Sequence, residues 1–282
     1  MHPFPEIGIL VRLLPLIMYF CPKQTKLKAL IKKIIPASLL DKIRNPAIPV
    51  DSEEVIGKRK LFYSLFAGKG DLVFDIGANY GNRIEPLLRN GCKVVAAEPQ
   101  PDCVAYLRKK YKDKVTIENV GIGASKGILD FHISSWSILS TFSDDFIKKT
   151  RESGRFSKSS WDKTIKVNLI TLDDLISKYG TPKFIKVDVE GYEEQVFKGL
   201  NKKVNYISFE YTLPEFSDNL DRILVKLNSI SPIEINYSVG ESMQFDLKKW
   251  IQFDEFIESF RNNAGFRNGM KDFGDVYVHY LA

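Results

Sequence analysis

The sequence predicts an α/β fold in which a largely parallel sheet is covered by helices on both faces. Beyond residue 50, short apolar runs rich in β-branched residues alternate with longer amphipathic segments. This alternation is typical of parallel strands joined by helical crossovers, and such folds bind their ligands at the carboxyl ends of the strands. The candidate strands are residues 72–76, 93–97, 115–119, 183–187, 205–210, 233–237 and 275–280.

The segments between these strands include five candidate helices and one long interruption. The candidate helices are residues 83–90, 101–111, 172–178, 192–199 and 215–227. Segment 121–168 contains a strand-like run at 127–133 and a serine-rich loop at 134–142. Because this loop follows the third strand, it could close over a bound ligand, or it could form a surface excursion.

The length of the chain fits one main domain with an N-terminal extension. A single α/β domain accounts for most of the 282 residues. Pro46 and Pro49 indicate a linker, which places the boundary near residue 50. We therefore expect an extension of residues 1–50 and a main domain of residues 51–282.

The N-terminal extension is basic. Residues 1–60 carry all of the formal net charge of +6, and the rest of the chain is balanced. The apolar run 7–20 is broken by Arg12 and Pro15 and is shorter than a membrane-spanning helix; it lacks a cleavage site, so we expect it to be retained. Residues 23–40 predict a basic amphipathic helix, which could dock on the main domain or lie on anionic lipid through residues 7–44.

Charge and cysteine content restrict the partners and the compartment. A main domain without net positive charge argues against a nucleic-acid groove, so we expect no nucleic-acid partner. Three cysteines cannot close a disulfide framework, and none forms a metal-binding cluster with histidine. This predicts a cytoplasmic protein without a bound metal, and contact with the inner face of the membrane stays open.

The first candidate strand runs into a glycine-bearing turn. Asp75 ends the strand, and Gly77 and Gly81 can take positive φ angles and allow close approach of a ligand. Glu98 ends the second strand, where a carboxylate can accept hydrogen bonds from a ribose diol. Together these features predict a nucleoside cofactor that is held by its ribose.

The glycine spacing favours one nucleoside cofactor over another. A dinucleotide site has the pattern Gly-x-Gly-x-x-Gly, which seats a pyrophosphate on a helix N-terminus. Here Asn79 replaces the middle glycine, and a polar Asn beside a strand-end Asp suits a zwitterionic amino-acid group better. We therefore expect S-adenosyl-L-methionine as the cofactor.

Four sequence blocks occur in a characteristic order. They are DIGANYG at 75–81, AEP at 97–99, NVGIG at 119–123, and IKVDVEGYE at 185–193, which TLD precedes at 171–173. By these blocks the chain resembles the FkbM-type methyltransferases, a class I family that depends on S-adenosyl-L-methionine. The resemblance spans roughly residues 53–281 and implies a Rossmann-like, mostly parallel sheet of seven strands.

The resemblance also implies roles for individual residues. The turn would hold the methionine end of the cofactor, the segment after the second strand its ribose, and the segment after the third strand its adenine edge. The residues so assigned are Asp75, Gly77, Asn79 and Gly81 for methionine, Glu98 for ribose, and Asn119 and Val120 for adenine. Ala78 and Pro99, in the same blocks, are also expected to bind the cofactor. The chain departs from the family at Gly121, where Ala is more common, and at Arg83, where Thr or Ser is common.

A hydroxyl acceptor needs a base that removes its proton. Asp188 and Glu190 follow the fourth strand, and residues two apart on a strand face the same side, so either could serve as the catalytic base. Asp188 could instead orient the cofactor, Glu190 could cap the following helix, or the pair could hold a divalent metal. His132 and His279 lie in strand-like runs and are weaker candidates.

The acceptor is the least determined feature. The sequence lacks the acceptor motifs of enzymes that methylate base amino groups or ring carbons. The resemblance therefore implies O-methylation of a small molecule, a sugar or a lipid-linked glycan. Two other hypotheses remain, a non-catalytic nucleoside-binding or membrane-associated scaffold and an NAD-dependent enzyme.

Overall fold

The computed structural model describes residues 51–281. The expected basic helix, the apolar run and the membrane contact through residues 7–44 lie outside the described residues, and the extension 1–50 stays a prediction. None of the described helices is long and apolar enough to cross a membrane.

The main sheet contains eight strands in the order β10-β9-β11-β8-β7-β1-β2-β3. The strands from β3 to β8 in this order are parallel neighbours, and β11 runs antiparallel between β8 and β9. Their bounds are β1 Leu72–Ile76, β2 Lys93–Ala97, β3 Val115–Glu118, β7 Phe184–Val187, β8 Tyr206–Thr212, β9 Ile233–Val239, β10 Ile251–Gln252 and β11 Phe273–Tyr280. The prediction of a mostly parallel seven-stranded sheet is confirmed, and the two-residue β10 adds an edge strand.

Nine α-helices connect and cover these strands within the described residues. They are α1 Glu53–Tyr63, α2 Ile84–Arg89, α3 Pro101–Tyr111, α4 Asp144–Ser153, α5 Leu172–Tyr179, α6 Glu193–Lys198, α7 Ser217–Ile230, α8 Phe253–Asn262 and α9 Ala264–Met270. Apolar residues of both sheet faces are buried, so the core consists of one layer on each side. The five predicted helices are all present as α2, α3, α5, α6 and α7.

The interruption between β3 and α5 forms a second, three-stranded sheet. It has the order β4-β6-β5, with β4 at Gly121–Ile122, β5 at Gly127–Ile133 and β6 at Lys163–Ile170. Of these only β5 is predicted from the sequence, and α4 is not predicted. The small sheet packs through Phe131, Phe142, Val167 and Leu169, which form a cluster of their own.

Candidate functional site

The turn after β1 has the backbone geometry that its glycines predict. Gly77 and Gly81 have φ angles of +81° and +80°. A Cβ atom on Gly77 would overlap the carbonyl oxygen of Asp188, and one on Gly81 would lie 2.7 Å from Leu107 Cδ2. Ala78 is buried between them. The close approach at Gly77 is thus to the segment after β7, which brings that segment directly against the turn.

Asn79 and Glu98 join the turn to the end of β2. Asn79 has φ +45°, and its backbone N–H donates to Glu98 Oε2 at 2.7 Å. Glu98 Oε1 accepts from the backbone N–H of Gln100, also at 2.7 Å. Burial raises the pKa of Glu98 to about 7, although the two N–H donors oppose that rise. Both oxygens therefore have backbone partners at the position where the sequence places the ribose.

Pro99, Asn119 and Val120 lie at the neighbouring strand ends. Pro99 is buried, and Val120 packs against the main core. Asn119 Nδ2 donates to the carbonyl oxygens of Glu98 and Pro99 at 3.0 and 3.2 Å. The amide of Asn119 therefore ties the end of β3 to the end of β2, and all three residues stand beside the turn.

Asp75 is almost completely buried at the end of β1. Its side chain has one oxygen, Oδ2, without a hydrogen-bond partner among the described residues. Burial raises the pKa of Asp75 to about 6, and the positive charges of Lys186 and Arg83 oppose the rise. An ionised carboxylate oxygen that is buried without a donor is costly, so this atom is suited to accept a hydrogen bond from a ligand.

Lys186 connects Asp75 to the residues after β7. It pairs with Asp75 in the sheet register, and its Nζ lies 3.1 Å from Asp188 Oδ2 and 3.0 Å from Asp275 Oδ1. Only 1% of its side chain is exposed. The two carboxylates hold the pKa of Lys186 well above its ordinary value against the effect of burial. The buried ammonium group thus fixes the side chain of Asp188.

Three carboxylates meet where β7 ends, beside the carboxyl-terminal part of β8. One oxygen each of Asp188, Glu190 and Glu210 lies within 4.8 Å of the others. Burial, and then repulsion from the neighbouring acids, raises the pKa of Glu190 and of Glu210 well above the ordinary value. The raised pKa values of Glu190 and Glu210 mean that both hold a proton more readily than exposed carboxylates do. Carboxylate oxygens at this spacing are also of the type that hold a divalent cation. The sequence analysis did not identify Glu210.

Asp188 and Glu190 come together in the loop after β7, and not on one face of a strand as expected. Strand β7 ends at Val187, so both residues belong to the following loop and not to one face of a strand. Glu190 has φ +53°, which turns the chain between them. Glu190 does not cap the next helix, because α6 begins after Tyr192 and has no side-chain cap. Instead Glu193 Oε1 accepts from the N–H groups of Val189 and Gly191 at 3.1 and 3.3 Å.

Residues 134–142, which we call the cover segment, contact both halves of this region. Ser140 Oγ donates to Gln100 Oε1 at 3.1 Å, and Gln100 Nε2 donates to the carbonyl oxygen of Ser137 at 3.1 Å. At the other end Thr141 Oγ1 donates to the carbonyl oxygen of Glu190 at 2.8 Å. The cover segment therefore connects the residues after β2 with the loop after β7, and its closure over a bound ligand stays a prediction.

The two histidines lie away from the three carboxylates. His132 is in β5 of the small sheet, and its Nε2 lies 3.0 Å from Asp144 Oδ1. His279 pairs with Tyr206 at the start of β8, which is the end of the sheet opposite Glu210. Its Nδ1 lies 2.6 Å from Glu234 Oε1. Neither imidazole is placed to act as a base beside Asp188.

Comparison with protein families identifies the chain. The family model of the methyltransferase FkbM domain matches residues 75–267, which covers more than half of the chain. The chain belongs to the FkbM methyltransferase family. The FkbM match begins at Asp75 and includes the turn, Glu98, the cover segment and all three clustered carboxylates.

Individual relatives are distant. The chain is similar to the hexuronic acid methyltransferase AglP of Haloferax volcanii, with 26% identity over 204 residues that cover 70% of this chain and 73% of the relative. A TehB-like methyltransferase from Corynebacterium glutamicum superposes with a TM-score of 0.42 at 8% identity, covering 79% of this chain and 88% of its own. A putative O-methyltransferase from Klebsiella pneumoniae gives 0.41 at 12% identity, with 90% and 96% covered.

Proposed function

We propose that this protein transfers the methyl group of S-adenosyl-L-methionine to a hydroxyl group of a sugar acceptor, either free or part of a lipid-linked glycan. The observation that carries the proposal is the backbone contact between Gly77 and Asp188. It sets the acid cluster directly beside the turn that the sequence assigns to the cofactor. Family membership supports methyl transfer, and the similarity to a hexuronic acid methyltransferase supports a sugar.

The residues at the turn fit the cofactor. The unpartnered, buried Oδ2 of Asp75 is an acceptor suited to the amino group of the methionine half. Glu98 stands at the end of β2 beside the turn, and each of its oxygens accepts one backbone N–H and has a further lone pair that a ribose hydroxyl could use. The cofactor supplies a methyl group on a sulfonium, which carries its own activation.

The remaining chemistry is the alignment and deprotonation of the acceptor. Alignment alone can lower the barrier by several kcal/mol, because a bimolecular step becomes effectively intramolecular. Asp188, held by Lys186, is the base that we assign, since its side chain is fixed and still 29% exposed toward the site. Glu190 and Glu210 lie close enough to receive the proton in turn.

A labelling experiment tests this function. The full-length protein is incubated with methyl-labelled S-adenosyl-L-methionine and a panel of neutral sugars, uronic acids and glycolipid extracts, and S-adenosylhomocysteine and labelled glycans are quantified. We expect acceptor-dependent transfer that Asp188→Asn slows by about 100- to 10,000-fold. Binding of NAD in place of S-adenosyl-L-methionine, or of neither, in isothermal titration would refute the proposal.

A further inference from the structure

Two buried arginines converge on one carboxylate next to the turn. Arg83 Nη1 donates to Glu241 Oε2 at 2.7 Å, and Arg83 Nη2 donates to Oε1 of the same carboxylate. Arg59 Nη2, from α1, also donates to Glu241 Oε2, at 3.1 Å. The arginine side chains are 8% and 7% exposed, whereas that of Glu241 is 50% exposed. A fork-shaped, two-arginine receptor for a carboxylate is therefore built into this face of the protein.

The receptor has donors that Glu241 does not use. The Nε atoms of Arg59 and Arg83 and the hydroxyl of Tyr63 are buried and have no hydrogen-bond partner among residues 51–281. Burial raises the pKa of Tyr63 to about 12, so its hydroxyl stays protonated and can donate. Three further donors beside one carboxylate indicate a site with capacity for a larger anionic ligand than a single side chain.

Glu241 is the exchangeable partner of this receptor. Arg59 Nη1 also pairs with Asp51, so Arg59 keeps an anion when Glu241 leaves. The buried Arg83 would be very unfavourable without an anion, so some carboxylate has to be present there. Glu241 belongs to the loop between β9 and β10, where Gly240 and Met243 have φ +53° and +52°. Because half of its side chain already faces water, Glu241 can move into solvent through a change in this loop, whereas both arginines are almost completely buried.

The receptor lies beside the proposed cofactor. Arg83 follows Gly81 by two residues, and its positive charge lowers the pKa of Asp75 against the effect of burial. We propose that Arg83 and Arg59 form a carboxylate-binding subsite, which Glu241 fills in the structure and leaves when a ligand carboxylate enters. This proposal rests on the proposed function, since the ligand is either the α-carboxylate of S-adenosyl-L-methionine or the carboxylate of a uronic acid acceptor.

Matched ligand pairs test the subsite. Isothermal titration of the full chain compares S-adenosylhomocysteine with its decarboxylated analogue, S-adenosyl-3-thiopropylamine, and D-glucuronate with D-glucose. In one of the two pairs, Arg83→Gln should weaken binding of the ligand that carries the carboxylate by about 10- to 100-fold, as expected for a lost charge-assisted hydrogen bond. The affinity for the ligand without the carboxylate should not change. Glu241→Gln should raise the affinity for the same carboxylate-bearing ligand by about 3- to 10-fold, because the Glu241 carboxylate no longer competes for the arginines.

A control variant, Glu85→Gln, and the second variant, Glu241→Gln, make the result interpretable. Glu85→Gln removes the same charge from α2 next to Arg83 but affects only the surface pair with Arg89, so it should change no affinity. If Arg83→Gln does not fold, the half-exposed Glu241→Gln still reports on the subsite. The pair that responds identifies the source of the carboxylate.

The outcomes separate the two proposals. Unchanged affinity ratios in both pairs, for either variant, would overturn the subsite while leaving methyl transfer intact. If the wild-type protein binds neither nucleoside, the proposed function fails, and the glucuronate pair alone then decides the subsite.

Discussion

The carbonyl oxygen of Asp188 occupies the space that a Cβ atom on Gly77 would need. This contact joins the loop after β7 to the turn after β1, backbone against backbone, so the distance between the acid cluster and the turn does not depend on flexible side chains. Backbone contacts of this kind are rigid, and interiors of this density transmit small displacements. The position of Asp188 relative to the turn is therefore sensitive to a single methyl group at residue 77.

Gly77→Ala should disrupt both the fold and cofactor binding. The added methyl overlaps the Asp188 carbonyl, and an alanine at φ +81° is strained in addition. We expect the free energy of unfolding in urea to fall by about 3 kcal/mol, since overpacking costs about 1–3 kcal/mol and a positive φ adds about 1 kcal/mol. Gly127→Ala is the matched control, because no atom lies within 4 Å of its Cβ position. Equal stability of the two variants would contradict the argument.

Asp188→Asn should reduce turnover and leave cofactor affinity unchanged. The amide keeps the size of the side chain but cannot accept a proton, and a positioned base contributes about 100- to 10,000-fold. The rate of S-adenosylhomocysteine formation measures turnover, and isothermal titration measures affinity. Asp130→Asn, at an exposed position in β5, controls for loss of charge. A decrease of less than tenfold would transfer the role of the base to Glu190 or Glu210.

The main sheet could be predicted from the sequence, whereas the acid cluster could be predicted only in part. The apolar runs and the glycine turn are local signals, and they locate β1, β2, β3 and the turn correctly. Glu210 was missed because only the pairing of β7 with β8 brings it to Asp188. A usable signal was present, since Glu210 stands near the end of a predicted strand, as Asp75 and Glu98 do. An acid at each of several adjacent strand ends indicates one shared site.

Segment 121–168 resisted prediction for a different reason. Strand β6 pairs with both β4 and β5, and these contacts do not follow from the strict alternation of strands and helices. Helix α4 did have local signals, since Ser143 caps its start and Gly154 ends it with φ +76°. The departure at Gly121 also has a tertiary cause, because Phe142 and Leu169 fill the space that an alanine methyl would need.

Glu98 should make the stability of the protein fall as the pH rises. Burial raises the pKa of Glu98 from 4.5 to about 7, so the folded state binds the proton more tightly than the unfolded chain. The contribution of this shift to the free energy of unfolding is fully present below pH 4.5 and is lost as the pH rises through 7. The shift corresponds to roughly 3 kcal/mol.

Glu98→Gln isolates this contribution. Glutamine does not titrate, so the difference in free energy of unfolding between wild type and Glu98→Gln should change between pH 5 and pH 8 by up to the size of that shift. Denaturation in urea at both pH values measures it. Glu193 has a raised pKa of about 7, but it contributes equally to both proteins and cancels. Asp75, whose pKa is raised to about 6, repels the Glu98 carboxylate, so its interaction with Glu98 is part of the measured difference. Glu255→Gln is an exposed control, and parallel pH profiles of Glu98→Gln and wild type would contradict the prediction.

Thr141→Val should separate catalysis from stability. The hydroxyl of Thr141 is buried and bonds the carbonyl of Glu190, whereas the cover segment reaches Asn79 and Gln100 through Ser137 and Ser140. Valine keeps the shape and removes this bond together with the one that Thr141 Oγ1 accepts from the Ser143 N–H at 2.9 Å, at a cost of about 1–3 kcal/mol in stability. Because Glu190 loses its support and the turn does not, we expect kcat to fall about tenfold while the affinity for S-adenosylhomocysteine stays the same.

Thr150→Val is the matched control for Thr141→Val. Thr150 is as buried as Thr141, and its hydroxyl donates to the carbonyl oxygen of Phe146 at 2.6 Å within α4. Loss of the Thr150 hydroxyl should lower the free energy of unfolding by about as much as loss of the Thr141 hydroxyl, since both hydroxyls are buried. If both variants lose the same stability and only Thr141→Val loses turnover, the hydrogen bond to Glu190 positions the acid cluster. If turnover falls equally in both, the effect of Thr141 is structural and the cover segment does not support the base.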